Sequence, residues 1–278
     1  MLITIVFGRE RVAVPPAWGK LSLQAGIVLL GFGISTETMW QLSRDYTLIV
    51  SGYVILAAII GLLLGRAFGL SQNESLLMSS GTAICGGTTV ATISPIIDAK
   101  AHETGAALAV IFLLNAIALV AFPFIGQWLE LSQQQFGLWA AMAIHDTASV
   151  VATAQVYGDE AAITAATVKL GRTLWLIPLV VGLSVISRKD SNAARVPLFV
   201  VLFVVASVLG SILAVPDQLS RSVSFVAKSL FVVALFLIGL EVSRETLRSL
   251  RFRVVAHAVL LWSLVAGATL VLISVVLR

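Results

Sequence analysis

Apolar runs about as long as a bilayer is thick recur along the whole chain and leave it little else to fold into. Nine stretches stand out: Leu21 to Ser35, Thr47 to Gly65, Leu76 to Ile96, Gly105 to Ile125, Phe136 to Val156, Ala161 to Ile186, Val196 to Val215, Val223 to Leu240 and Val254 to Leu277. A spanning helix needs about 20 mostly apolar residues, so a chain of 278 residues with short loops has room for about nine or ten crossings. Hydrocarbon offers no hydrogen-bond partner, so each run must satisfy its own backbone groups, and helices do this. Charged residues are only 12% of the chain and hydrophobic residues 59%, against about 25% charged in an ordinary soluble domain. The mean hydropathy of +1.02 agrees. The expected fold class is therefore an all-α integral membrane protein, a single multi-pass transmembrane domain over residues 1–278. Met1 to Phe7 is apolar but too short to span, and residues 1–20 read as the remnant of a truncated N-terminal helix.

Basic residues orient such a chain, because cytoplasmic loops are enriched in them. If every run crosses once, Arg9, Arg11, Lys20, Arg66, Arg188, Lys189, Arg195, Arg244, Arg248, Arg251 and Arg253 share one side, and Arg44, Lys100, Arg221 and Arg278 share the other. The first side is read as cytoplasmic, the membrane as the inner cell membrane, and the number of crossings after Lys20 as odd. Three basic residues, Lys169, Arg172 and Lys228, fall inside the runs.

Two internal similarities are visible. Leu30 to Thr38 resembles Ile238 to Thr246, and each closes an apolar run; seven runs apart, they would point in opposite directions, as in an inverted repeat. Ala83-Ile84-Cys85 with Val90 resembles Ala143-Ile144-His145 with Val150 at a constant offset. The two conflict, because the third and fifth runs should share one direction if each crosses once.

Polar residues inside the runs mark the candidate site. Gly86 and Gly87 lie among Thr82, Thr88, Thr89 and Thr92; adjacent glycines weaken a helix, and a broken membrane helix exposes backbone groups that hold ions. Close helix packing through small residues is the alternative. His145 and Asp146 stand in the fifth run beside Thr147 and Ser149. A charge there is costly and normally functional; alternatively Asp146 only neutralises a basic neighbour. Lys169 and Arg172 are three apart, so they share a helical face. Both lie too far from either end of their run to snorkel easily. His257 is expected at the interface, and Pro95, Pro123 and Pro178 at helix ends or kinks. Cys85, the one cysteine, reads as a packing residue. No zinc, P-loop or nucleophile-elbow motif occurs, so neither an enzyme nor a cofactor or metal site is expected, and no basic patch points to nucleic acid.

The segments Gly81 to Thr92, Ala143 to Ala154 and Val168 to Pro178 are long and polar for membrane sequence. Through them the chain resembles bacterial membrane proteins of the YeiH type, classed as sulfate exporters. That resemblance implies a distant relation to the bile-acid/sodium symporter fold, with inverted repeats and a core of two crossed broken helices beside a panel domain. It also implies further apolar sequence before Lys20.

The leading expectation is a secondary transporter that exports a small inorganic or sulfur-containing oxyanion with proton coupling. Lys169, Arg172, Thr82, Thr88, Thr89, Gly86 and Gly87 would bind the anion, and His145, Asp146, Thr147 and Ser149 would couple transport. Partners would be the anion, a proton or sodium ion, the lipid bilayer and a second copy in a homo-oligomer. A sodium-coupled organic anion carrier and a non-transporting sensor or scaffold are the alternatives.

Overall fold

A computed structural model of the chain describes residues 16–32, 36–187, 198–213, 222–223, 225–227, 229–230, 233 and 250–276. The repeat copy Ile238 to Thr246, Lys228 and residues 1–15 lie outside them, as do the basic residues Arg188, Lys189, Arg195, Arg221, Arg244, Arg248 and Arg278. Among the described residues eleven helices follow in order: α1 (Pro16–Phe32), α2 (Thr36–Ala67), α3 (Gln72–Ala83), α4 (Gly86–Ile93), α5 (Ala101–Trp128), α6 (Gln133–Ala143), α7 (Thr147–Tyr157), α8 (Asp159–Thr173), α9 (Leu176–Ser187), α10 (Leu198–Ile212) and α11 (Phe252–Val276). Among the described residues four helical stretches are long and apolar enough to cross a membrane: Arg44–Ala67, His102–Trp128, Asp159–Leu183 and Phe252–Val275. The expected all-helical membrane protein is borne out.

The two runs richest in polar residues are broken, and neither crosses the molecule. The third run becomes α3 and α4, which form a hairpin. At its mouth, the Ser71 hydroxyl donates to Glu103 at 2.8 Å, and the Ser94 and Thr104 hydroxyls hydrogen-bond each other. Further in, a Cβ on Gly81 would lie 3.2 Å from Val90, across from α3 to α4. Both feet of this hairpin therefore stand beside the start of α5, at the end of the molecule that carries Arg66. The fifth run repeats the pattern from the other end. The Tyr157 hydroxyl donates to the Leu131 carbonyl at 2.6 Å, the rings of Phe136 and Tyr157 stack at 3.8 Å, and Glu160 N–H donates to Gln133 Oε1 at 3.1 Å.

The expectation that these runs cross once is thus corrected, and so are the crossed broken helices implied by the resemblance. Length and hydropathy are satisfied equally by a helix that crosses and by two half-helices that enter and return. Lys100 consequently joins Arg66, Arg251 and Arg253 at one end, not Arg44 at the other. The orientation conflict also disappears. The hairpins enter from opposite ends, and the offset similarity aligns their tips: Ala83 and Ala143 end α3 and α6, and Ile84 and Ile144 follow as C-caps.

Local sequence explains where each hairpin begins. Ser71 and Ser132 each open a capping box, with Glu74 and Gln135 returning the bond to the cap backbone. Glu74 is 3% exposed and pairs with Arg251 at 2.8 Å, which ties the first hairpin to the start of α11. Pro178 has no N–H to donate to Leu174, and the α8–α9 junction is closed instead by tight bonds from Leu174 to Gly171 and Trp175 to Arg172. Pro123 lies inside α5. Small residues bring α2 against α3: a Cβ on Gly61 would meet the Ser79 side chain at 2.5 Å. At the remaining contact, α1 packs chiefly on α10, and Ser211 accepts from the Thr36 N–H at 2.9 Å.

In a Cys85→Ala background, single cysteines replacing Gln72 and Lys100 should react with an impermeant maleimide from the same face of sealed vesicles. A cysteine at Gln127 should react from the opposite face. Labelling of Gln72 and Lys100 from opposite faces would restore the crossing.

Candidate functional site

A helix leaves its last carbonyls without intrahelical donors, and its C-terminus carries partial negative charge. Here two such ends, those of α3 and α6, are buried in the middle of the molecule. Lys169 and Arg172, both 0% exposed, reach them from α8. Arg172 Nε donates to the Ala83 carbonyl at 2.7 Å and Nη2 to that of Thr82. Its Nη1 donates to Ala141 at 2.9 Å and Met142 at 2.7 Å. Lys169 Nζ donates to Ile144 at 2.8 Å, and the indole of Trp262 supplies Ala143 at 3.0 Å. The guanidinium also lies 4.5 Å from the centre of the Tyr53 ring, whose hydroxyl donates to Thr82 at 3.3 Å.

This changes what Arg172 offers a ligand. A guanidinium has five N–H groups, and four of Arg172's already hold carbonyls of the two hairpins. Among the described residues Lys169 gives one N–H, to Ile144, and retains two. Arg172 is first a clasp between hairpins, and Lys169 is the cation with donors to spare.

The opposite helix ends meet the same point with opposite polarity. Helix α4 restarts at Gly86, where a Cβ would meet Ile111 at 2.8 Å and the Cβ of His145 at 3.0 Å, so only glycine lets the tips touch. Thr89 Oγ1 accepts from the Cys85 N–H at 3.1 Å, and Cys85 Sγ lies 3.4 Å from the Thr147 hydroxyl of the other hairpin. Among the described residues the N–H groups that open α4, those of Gly86, Gly87 and Thr88, have no side-chain cap. The carbonyl of Thr88 accepts from Thr92 at 2.8 Å. At the start of α7, Asp146 is the N-cap, and its carboxylate accepts from the Ser149 N–H at 3.2 Å. Ser149 thereby acts as a capping partner.

His145 sits between these elements and is buried. Its backbone N–H donates to Asn115 Oδ1 at 3.1 Å, which fixes that oxygen as acceptor. The ring nitrogen Nδ1, 3.3 Å from the same oxygen, must therefore carry a hydrogen. Nε2 is left with a lone pair and, among the described residues, has no partner, as is the case for Asn115 Nδ2.

All eleven residues singled out in the sequence converge on the two hairpins and the face of α8 between them. Three partners were missed. Asn115 was legible as the one amide in its apolar run, whereas Tyr53 and Trp262 look like ordinary membrane aromatics until the fold places them. His257, expected at the interface, is packed inside the protein, with Nε2 2.9 Å from the Gly61 carbonyl and its ring 6.2 Å from that of Phe68.

The model of the family described as conserved hypothetical protein 698 matches residues 13–258. The chain belongs to this family. A UPF0324 membrane protein of Geobacter sulfurreducens is 41% identical over 257 residues, covering 91% of this chain and 82% of that protein. One from Porphyromonas gingivalis is 38% identical over 276 residues, covering 98% and 84%. One from Bacteroides thetaiotaomicron is 39% identical over 254 residues, covering 90% and 77%. No solved structure matches the chain. The YeiH-type resemblance is borne out; these relatives are named membrane proteins, and this chain, with several helices apolar enough to cross, is a multi-pass one.

Arg172→Lys keeps the charge but loses the fork that reaches both hairpins. Leaving buried carbonyls without donors costs about 1 to 3 kcal/mol each, so the variant should be destabilised by about 3 kcal/mol or more in detergent-solubilised unfolding. Gly86→Ala should separate the tips and also lower the melting temperature, whereas Gly105→Ala, where a Cβ meets nothing within 4 Å, should not.

Proposed function

We propose that this protein is a secondary transporter that exports a small inorganic or sulfur-containing oxyanion, of the sulfate or sulfite class, with proton coupling. The observation that carries this reading is the division of roles at the hairpin tips. Buried cations satisfy the negative ends of α3 and α6, while among the described residues the N–H groups at the positive end of α4, those of Gly86, Gly87 and Thr88, have no side-chain cap. Helix N-termini bind oxyanions through such groups. The remaining N–H groups of Lys169 and the hydroxyl of Thr88 add donors without any additional buried negative charge. Thr82 and Thr89 support the same tips through their backbone and side-chain bonds.

His145 supplies the coupling. With Nδ1 held on Asn115, the neutral ring presents only a lone pair at Nε2; protonation turns that atom into a donor. An anion bound at the tips favours the protonated ring and is favoured by it, so anion and proton affinities rise together. Asp146, Thr147 and Ser149 hold the start of α7 in place beside it. Two discontinuous segments entering from opposite ends suit alternating access, in which one element rocks against another around a fixed site. The end bearing Arg66, Lys100, Arg251 and Arg253 is the cytoplasmic one, and the membrane is the inner cell membrane.

Purified protein in liposomes should move labelled sulfate or sulfite down an imposed gradient, faster as the pH on the anion-loaded side falls. His145→Gln, which cannot take up a proton, should retain flux but lose its pH dependence. Flux that follows sodium and ignores pH would replace proton coupling, and absence of flux under any gradient would overturn the transporter reading.

A further inference from the structure

A cavity of about 330 Å³ lies on the other side of α8 from the hairpin tips. It opens between α2, which contributes Tyr46, Val50 and Ser51, and the α8–α9 pair, which contributes Thr167, Gly171 and Trp175. Its volume falls at the lower end of the ~300–1,000 Å³ typical of small-molecule sites.

Three features describe what would fit. None of the residues lining the cavity is charged, and most of its wall is apolar, so an ionised ligand would be desolvated there without a counter-charge. The hydroxyl Oγ1 of Thr167, on a residue only 3% exposed, has no hydrogen-bond partner among the described residues. Orphaned buried hydroxyls are uncommon and destabilising. The oxygen of Tyr46 accepts from Gln134 at 2.9 Å, so its own hydrogen remains to be donated. Finally, Gly171 lies one helical turn beyond Thr167 on the same face. A Cβ there would meet nothing within 4 Å. A glycine inside a helix costs about 1 kcal/mol relative to alanine, and packing does not require this one.

We propose that this cavity binds a small uncharged amphiphile, an apolar body with one hydroxyl or carbonyl group that pairs with Thr167 and Tyr46. The site is separate from the anion site, since Lys169 and Arg172 face the hairpins while Thr167 and Gly171 face the cavity. Its occupancy is independent of whether the protein transports anything.

Trp175 in the wall serves as the reporter. Titration of the detergent-solubilised protein with 10-bromodecan-1-ol should quench tryptophan fluorescence with a saturable component, and that component should be absent in Trp175→Phe. Gly171→Leu, which fills the cavity, should weaken the apparent affinity at least tenfold while leaving the melting temperature equal or higher. Thr167→Val should weaken it about fivefold, the loss expected of one hydrogen bond, with no effect on 1-bromodecane. 10-Bromodecanoate should bind at least tenfold more weakly than the alcohol. An absent saturable component, an unchanged affinity in Gly171→Leu, or equal binding of the carboxylate would overturn the proposal. So would saturable quenching by brominated phosphatidylcholine that the alcohol fails to displace, because the cavity would then hold a lipid chain.

Discussion

Everything in the centre of this molecule depends on one guanidinium. Arg172 holds carbonyls of α3 and of α6 together, and those helices belong to hairpins that enter from opposite ends. Broken helices leave unpaired carbonyls at depth, where water is scarce and an unmet acceptor is costly. Lysine has the charge but, as a point donor, not the reach; Lys169 accordingly serves only Ile144. Tyr53 and Trp262 complete the set, so Thr82, Ala83 and Ala141 through Ile144 each receive a side-chain donor.

The same arrangement explains how a membrane interior tolerates a surplus of positive charge. The two cations are balanced by helix-end dipoles and not chiefly by carboxylates. Asp146 has its own role as N-cap of α7. The imbalance visible in the charge count is thus partly absorbed by backbone. Among the described residues the positive end of α4 has no side-chain cap, and that is where the proposed oxyanion would bind.

Much of this was legible in the sequence, and the remainder was hidden for definable reasons. The depth of Lys169 and Arg172 follows from their distance along an apolar run. The breaks follow from Gly86-Gly87 and from an aspartate that can restart a helix. The return of each hairpin was not legible, because a run of about 20 apolar residues has the same composition whether it crosses or doubles back. Its trace was the conflict between two internal similarities, which a hairpin resolves and a crossing does not. The role of Arg172 as a clasp was also hidden, since its acceptors are backbone carbonyls, which no sequence pattern distinguishes. Asn115 could have been weighed, because an amide alone in an apolar run usually has a partner.

The placement of the clasp also orders the protein's biogenesis. The first hairpin leaves the ribosome, and its tip at Ala83 has no donor of its own, about ninety residues before Arg172 is synthesised. Until α8 arrives, the carbonyls of Ala83, Ala141, Met142 and Ile144 lack the donors they have in the folded protein, and that of Ala143 waits for Trp262. The two re-entrant elements therefore settle late, and the membrane insertion of the long helices comes before the closing of the core.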